Sequence, residues 1–135
     1  MNKVDLIYKE ECYKIVGLCM EIHRILGHGF SEVVYKDALE LELRNAGIPY
    51  QREKLYDINY KGTVLPHKYK ADFVIYDKII TEIKATKGII EAHMKQTLNY
   101  VSAANIKLGL IINFGEESLK YKRIVLTKYK SRNNK

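Results

Sequence analysis

Two apolar runs, Ala71-Asp72-Phe73-Val74-Ile75-Tyr76 and Ile79-Ile80-Thr81-Glu82-Ile83-Lys84, stand on either side of Asp77-Lys78. Both read as buried β-strands joined by a tight turn, which commits this part of the chain to an antiparallel hairpin inside a sheet. The charges they carry are the difficulty. Asp72, Glu82 and Lys84 lie on strands otherwise apolar enough to be buried, and a buried charge is costly unless it is paired or bound to a metal.

Strand alternation puts Glu82 and Lys84 on one face. Asp72 joins them only under a condition on the turn. A strict two-residue hairpin sets Asp72 opposite Ile83 and sends the two acids to opposite faces. A three-residue turn or a bulge shifts the register by one and sets Asp72 beside Glu82. In that arrangement the two carboxylates, with the backbone carbonyl of Ile83 as a third oxygen, suit a hard cation such as Mg²⁺ or Mn²⁺. Lys84 would orient the attacking water or neutralise charge on a phosphate. This is the chemistry of metal-dependent phosphodiester cleavage. The competing reading is an ion pair between neighbouring surface strands, worth roughly 0–1 kcal/mol.

The rest of the chain frames this hairpin. Helical spacing of Ile15, Leu18, Cys19, Ile22, Ile25 and Leu26 predicts a helix over residues 4–26, ended by Gly27-His28-Gly29. Ser31 is a suitable N-cap for a second helix, with Val34, Ala38 and Leu41 as its apolar stripe and Gly47 and Pro49 beyond its end. Residues 51–60 alternate as a half-exposed strand, Lys61-Gly62 turns, and strands follow at 68–76 and 79–85. A third helix is expected over 90–104 with Met94, Leu98 and Val101 inward, then strands at 107–113 and 121–127. The order α-α-β-β-β-α-β-β implies an α/β (α+β) fold with a mixed sheet flanked by helices.

With 135 residues, the chain reads as a single domain over 1–127, followed by a basic tail, 128–135, that carries much of the net charge of +7. No run approaches the roughly 20 apolar residues of a membrane span. The N-terminus opens no signal pattern, so the expected location is the cytoplasm. Cys12 and Cys19 fall on one side of the first helix and read as small buried hydrophobes.

Other side chains could converge on the hairpin. His93, Gln96 and Tyr100 share one face of the third helix, where an amide and a phenol could hold a phosphate or a metal-bound water. A solvated polar face is the alternative. Glu32 and Tyr35 form an acid–aromatic pair one turn apart, although Glu32 in a first turn also suits the helix dipole.

Several blocks, in order, resemble one family. Gly27-x-Gly29-Phe30-x-Glu32-x-x-Tyr35, then Tyr69-Lys70-Ala71-Asp72-Phe73, Glu82-Ile83-Lys84-Ala85, Gln96-x-x-x-Tyr100 and Leu108-Gly109-Leu110-Ile111-Ile112-Asn113-Phe114-Gly115 are similar to the GxxExxY proteins of the PD-(D/E)XK nuclease superfamily. His28 stands where proline is frequent in that family, Lys70 where arginine is, and Ala71 where the superfamily often has proline. The resemblance implies a restriction-endonuclease-like core, a mixed sheet of four to five strands. It implies Asp72, Glu82 and Lys84 as the triad, supported by Glu32 on the first core helix and Gln96 on the helix after the E-x-K strand. Tyr35, Lys70, His93 and Tyr100 are the candidate phosphate or substrate contacts. The implied activity is a Mg²⁺- or Mn²⁺-dependent nuclease, on DNA sooner than RNA; cutting both strands of a duplex takes two sites, which a homodimer would supply. A nuclease-fold module that binds nucleic acid or a protein without cutting is the alternative.

Overall fold

The structure, a computed structural model, describes residues 7–127. The start of the first predicted helix and the basic tail lie outside the described residues. The first helix, α1 (Lys9–Leu26), buries Cys12, Ile15, Val16, Cys19 and Ile22. Ile25, expected on that stripe, is exposed. Gly27 ends α1 with a positive φ of 74° and donates its N–H to the His23 carbonyl at 2.8 Å.

The second helix, α2 (Glu32–Asn45), follows Ser31, whose extended backbone caps it without a side-chain bond. Its buried residues are Tyr35, Leu39 and Leu43, not the predicted Val34–Ala38–Leu41 line. The aromatic residue decides the rotation. Tyr35 stacks on Phe114 with ring centres 4.5 Å apart, and its hydroxyl donates to the Gly27 carbonyl at 2.6 Å. A phenol with its polar end satisfied can be buried whole.

Five strands form one sheet: β1 (Tyr50–Tyr56), then, after a short hairpin of β2 (Asn59–Tyr60) and β3 (Thr63–Val64), β4 (Tyr69–Ile75), β5 (Ile79–Lys84), β6 (Leu108–Asn113) and β7 (Lys120–Val125). Their order is β1-β4-β5-β6-β7. Only β5 and β6 run parallel, because α3 (Glu91–Ala104) carries the chain back between them. The hairpin β2–β3 was not expected, since a two-residue strand leaves no periodic trace.

One face of the sheet packs on α1 and α2, where Phe73, Ile75, Ile79, Ile83, Leu108, Leu110 and Ile112 meet Ile15, Cys19, Leu39 and Leu43. The other face is thinner: Ala71, Val74 and Ile80 against Val101 of α3. Here too the inward side of the helix differs from the expected one. Thr97 and Val101 are buried, while Leu98 is 40 % exposed. Thr97 can face inward because its hydroxyl donates to the His93 carbonyl at 3.0 Å. Its methyl packs where Gly109 leaves room: a Cβ at Gly109 would lie 2.6 Å from it. Both cysteines are free and buried, as expected. Among the described residues no helix is long and apolar enough to cross a membrane.

Thr81 is fully buried, and among the described residues its Oγ1 is the one buried side-chain polar atom without a hydrogen bond. Replacing an orphaned hydroxyl by a methyl of the same shape removes a desolvation cost. Thr81→Val is expected to raise the unfolding free energy by about 1 kcal/mol, read from urea denaturation. A loss of stability would show that the hydroxyl has a partner in solution.

Candidate active site

The turn between β4 and β5 meets the condition set by the sequence. Ile75 pairs with Ile79, leaving Tyr76, Asp77 and Lys78 as a three-residue loop, and the Lys78 N–H donates to the Ile75 carbonyl at 3.2 Å. Tyr76 and Asp77 both take left-handed backbone, at φ 57° and 61°, a conformation that is strained for a bulky side chain. The resulting register runs Ile75–Ile79, Val74–Ile80, Phe73–Thr81. One step further, Asp72 faces Glu82.

At that step the backbone ladder gives way to side chains. The Asp72 N–H donates to Glu82 Oε2 at 2.9 Å, and the Ile83 N–H donates to Asp72 Oδ2 at 2.8 Å. Each strand thus offers an amide to the other strand's carboxylate. The neighbouring ladder breaks at the same level. Arg52 pairs with Phe73 and Lys54 with Ala71, but Glu53, between them, has φ 55° and no partner in the register. The facing of β4 changes across Asp72: Phe73 packs in the α1–α2 core and Ala71 in the α3 core, although strict alternation would give them one face. Asp72 therefore occupies a local twist of the sheet.

Glu82 is 4 % exposed. Burial first, and then the charge of Asp72, pushes its carboxyl up to about 8, while the Asp72 amide and the charges of Lys84 and Lys36 pull it down. Lys84 is half-buried. Its backbone is fixed by the Phe114 N–H, which donates to the Lys84 carbonyl at 2.8 Å. The next loop is fixed by Asn113, fully buried, whose Oδ1 accepts from the Thr86 N–H at 3.0 Å and the Gly115 N–H at 3.1 Å. Its Nδ2 donates to the Thr86 carbonyl at 3.0 Å and to Glu116 Oε2 at 2.7 Å.

The other predicted site residues divide. His93 lies where burial, and then Lys84, hold its pKa below the usual histidine value while Glu32 opposes them. Glu32, Lys84 and His93 thus share one electrostatic neighbourhood. The His93 Nδ1 accepts the Ile90 N–H at 3.2 Å, so the neutral ring carries its proton on Nε2. Burial raises the pKa of Tyr100, and Glu82 and Asp72 add to the shift. Tyr100 stacks on Tyr69 with ring centres 4.2 Å apart, and its carbonyl accepts the Tyr69 hydroxyl at 2.8 Å. Gln96 is exposed on α3, one turn from His93 and one from Tyr100. Lys70 pairs with Glu53 at 3.5 Å.

Tyr35 is the exception. It is fully buried, its hydroxyl is donated to Gly27, and it accepts the Phe30 N–H at 3.1 Å. It pins the loop before α2 and is closed to a substrate phosphate, because ring and hydroxyl are already used inside the fold.

Two residues at the site were missed. Lys36 Nζ lies 3.3 Å from Asp72 Oδ1 and 3.3 Å from Glu53 Oε2. For Lys36 a signal existed: it falls one turn after Glu32 on the same side of α2. Glu53 sits in an alternating strand, and no local pattern announces its left-handed backbone.

The donor set of Asp72, Glu82 and a backbone carbonyl is all oxygen, and a buried acid with an expensive charged form gains from a cation. These groups fit a hard divalent ion. No group of three or more His, Cys, Asp or Glu side chains placed to hold a metal ion occurs among the described residues.

Comparison with known proteins bears on the fold and the family. The crystal structure of SSO0001 is similar in fold, with a TM-score of 0.57 and 20% sequence identity, covering 89% of this chain and 60% of that chain. The chain thus spans about 60% of the length of that protein. No curated protein matches. The family model described as the PD-(D/E)XK nuclease superfamily matches residues 9–124. With a mixed five-stranded sheet of restriction-endonuclease type and an Asp/Glu-x-Lys pair meeting on adjacent strands, the chain belongs to the PD-(D/E)XK nuclease superfamily.

Proposed function

We propose that this protein is a Mg²⁺- or Mn²⁺-dependent nuclease of the GxxExxY branch, a single catalytic domain over residues 1–127 that hydrolyses phosphodiester bonds in DNA sooner than RNA, in the cytoplasm. Superfamily membership supports nuclease chemistry on nucleic acid, with a divalent metal as the typical cofactor. The observation that carries the reading is the crossed pair of bonds at the end of the β4–β5 ladder, Asp72 N–H to Glu82 Oε2 and Ile83 N–H to Asp72 Oδ2. It sets two carboxylates side by side where a regular hairpin would hold them apart.

Asp72, Glu82 and the Ile83 carbonyl would hold the metal, which when bound supplies charge for the phosphate and lowers the pKa of water. The remaining work falls to the chain itself. Lys84 positions the attacking water or meets charge growing on the phosphate. A neutral His93 presents Nε2–H as a donor to a phosphate oxygen. Glu32, Gln96 and Tyr100 line the approach, and Lys70 extends the positive charge along it. A homodimer would bring two such sites to the two strands of a duplex.

The test is incubation with Mn²⁺ and plasmid, single-stranded, branched and RNA substrates, beside Asp72→Asn. Lys84→Ala is expected to reduce cleavage by at least about a hundredfold, with melting temperature and Mn²⁺ affinity nearly unchanged. Equal cutting by wild type and Lys84→Ala would end this mechanism. Binding of duplex with no cutting of any substrate would favour a nuclease-fold binding module.

A further inference from the structure

The ammonium of Lys36 sits between two carboxylates, 3.3 Å from Asp72 Oδ1 and 3.3 Å from Glu53 Oε2, on a side chain only 13% exposed. Neither contact has the roughly 2.7–2.9 Å of a tight charge-assisted bond, so the ammonium is shared rather than committed. Its two partners differ. Asp72 has its other oxygen fixed by the Ile83 N–H, leaving Oδ1 as its available metal-binding edge. Glu53 is reached because its backbone takes the left-handed conformation in mid-strand, at φ 55°. A left-handed glutamate in a strand is strained, and strain of this kind persists where the surroundings enforce it. Glu53 also keeps a second cation, Lys70, at 3.5 Å.

We propose that Lys36 is a resident cation that neutralises Asp72 in the metal-free protein, and that Glu53 is the acid that retains Lys36 when a divalent ion takes Asp72 Oδ1. The proposal rests on the metal-dependent reading above. It assigns opposite roles to two residues in one contact chain. Lys36 competes with the metal for Asp72, and Glu53 draws that competitor away. A buried charge deprived of one partner needs another, and Glu53 makes the exchange possible without moving α2.

Calorimetric titration of the whole chain with MnCl₂, at fixed pH and salt, separates these roles. Lys36→Met is expected to bind Mn²⁺ on the order of tenfold tighter. Glu53→Gln should bind on the order of tenfold more weakly, and most of that loss should vanish when Lys36→Met is already present. Lys36→Arg, which keeps the charge, should stay near the wild-type affinity and guards against misfolding of the Met variant. Without metal, Lys36→Met should melt below wild type, with Mn²⁺ restoring the difference. Wild-type binding with equal or weaker binding by Lys36→Met would overturn this proposal and leave the metal reading intact. A Glu53→Gln loss that persists in full beside Lys36→Met would also overturn it, since Glu53 would then act on the metal directly. No Mn²⁺ binding by wild type would overturn the metal reading itself, and this proposal with it.

Discussion

Glu82→Gln is expected to make the metal-free protein more stable at neutral pH and to abolish Mn²⁺ binding. In the folded chain Glu82 holds its proton up to about 8, chiefly through burial and secondly through Asp72. In the unfolded chain it releases that proton near 4.5. Between those values the folded state binds more protons than the unfolded one, so stability falls as pH rises. The penalty is absent below about 4.5, grows through the interval, and levels off above about 8. At about 1.4 kcal/mol for each pH unit, it reaches roughly 3 kcal/mol at pH 7. Glutamine keeps an oxygen to accept the Asp72 N–H and carries no charge to bury. Unfolding in guanidinium at pH 5, 7 and 8 should therefore show Glu82→Gln gaining on wild type with pH. A variant that is less stable than wild type at pH 8 would contradict this account of the site.

Gly115→Ala is expected to be the most damaging glycine-to-alanine change among the described residues. A Cβ at this position would lie 2.3 Å from the Thr86 carbonyl oxygen, 2.4 Å from the Thr86 nitrogen and 2.6 Å from the Ala85 carbonyl carbon. All three are backbone atoms, and they cannot step aside as a side-chain end could. The loop they belong to is the one that leaves Lys84, and it is held to this glycine through Asn113. The methyl group must therefore push apart the loops that follow β5 and β6. A cost of at least roughly 3 kcal/mol is expected, with loss of the Phe114–Lys84 backbone bond and hence of Lys84 placement. Gly88→Ala is the matched control, because nothing lies within 4 Å of its added Cβ. Chemical denaturation of the pair should separate them by several kcal/mol; similar midpoints would show that the two loops are free to part.

What the sequence made legible follows from how local each signal is. The hairpin around Asp77 was readable because two apolar runs bracket it, and the need to bring Asp72 to Glu82 required an irregular turn. The three-residue loop, with Tyr76 and Asp77 left-handed, is that irregularity. The helices were found by periodicity, yet the inward sides of α2 and α3 were misjudged. In both, an amphipathic residue, Tyr35 or Thr97, turns inward because a distant or preceding carbonyl takes its hydroxyl. Hydropathy counts such residues as polar before their partners are known. Lys36 and Glu53 were missed for a related reason. Their importance comes from meeting each other and Asp72 across α2, β1 and β4, which no window along the chain contains.

The way the Asp72 and Ile83 amides bond the Glu82 and Asp72 carboxylates across β4 and β5 also constrains how this site could be lost in descent. Each acid bonds the neighbouring strand as well as belonging to the site, so discarding a carboxylate outright removes a bond at the end of the β4–β5 pairing. Asparagine or glutamine keeps the accepting oxygen while giving up the charge. A lineage that abandoned the chemistry could therefore retain its sheet most readily through an amide at 72 or 82, and such a substitution in a homologous chain would be the mark of a retired site.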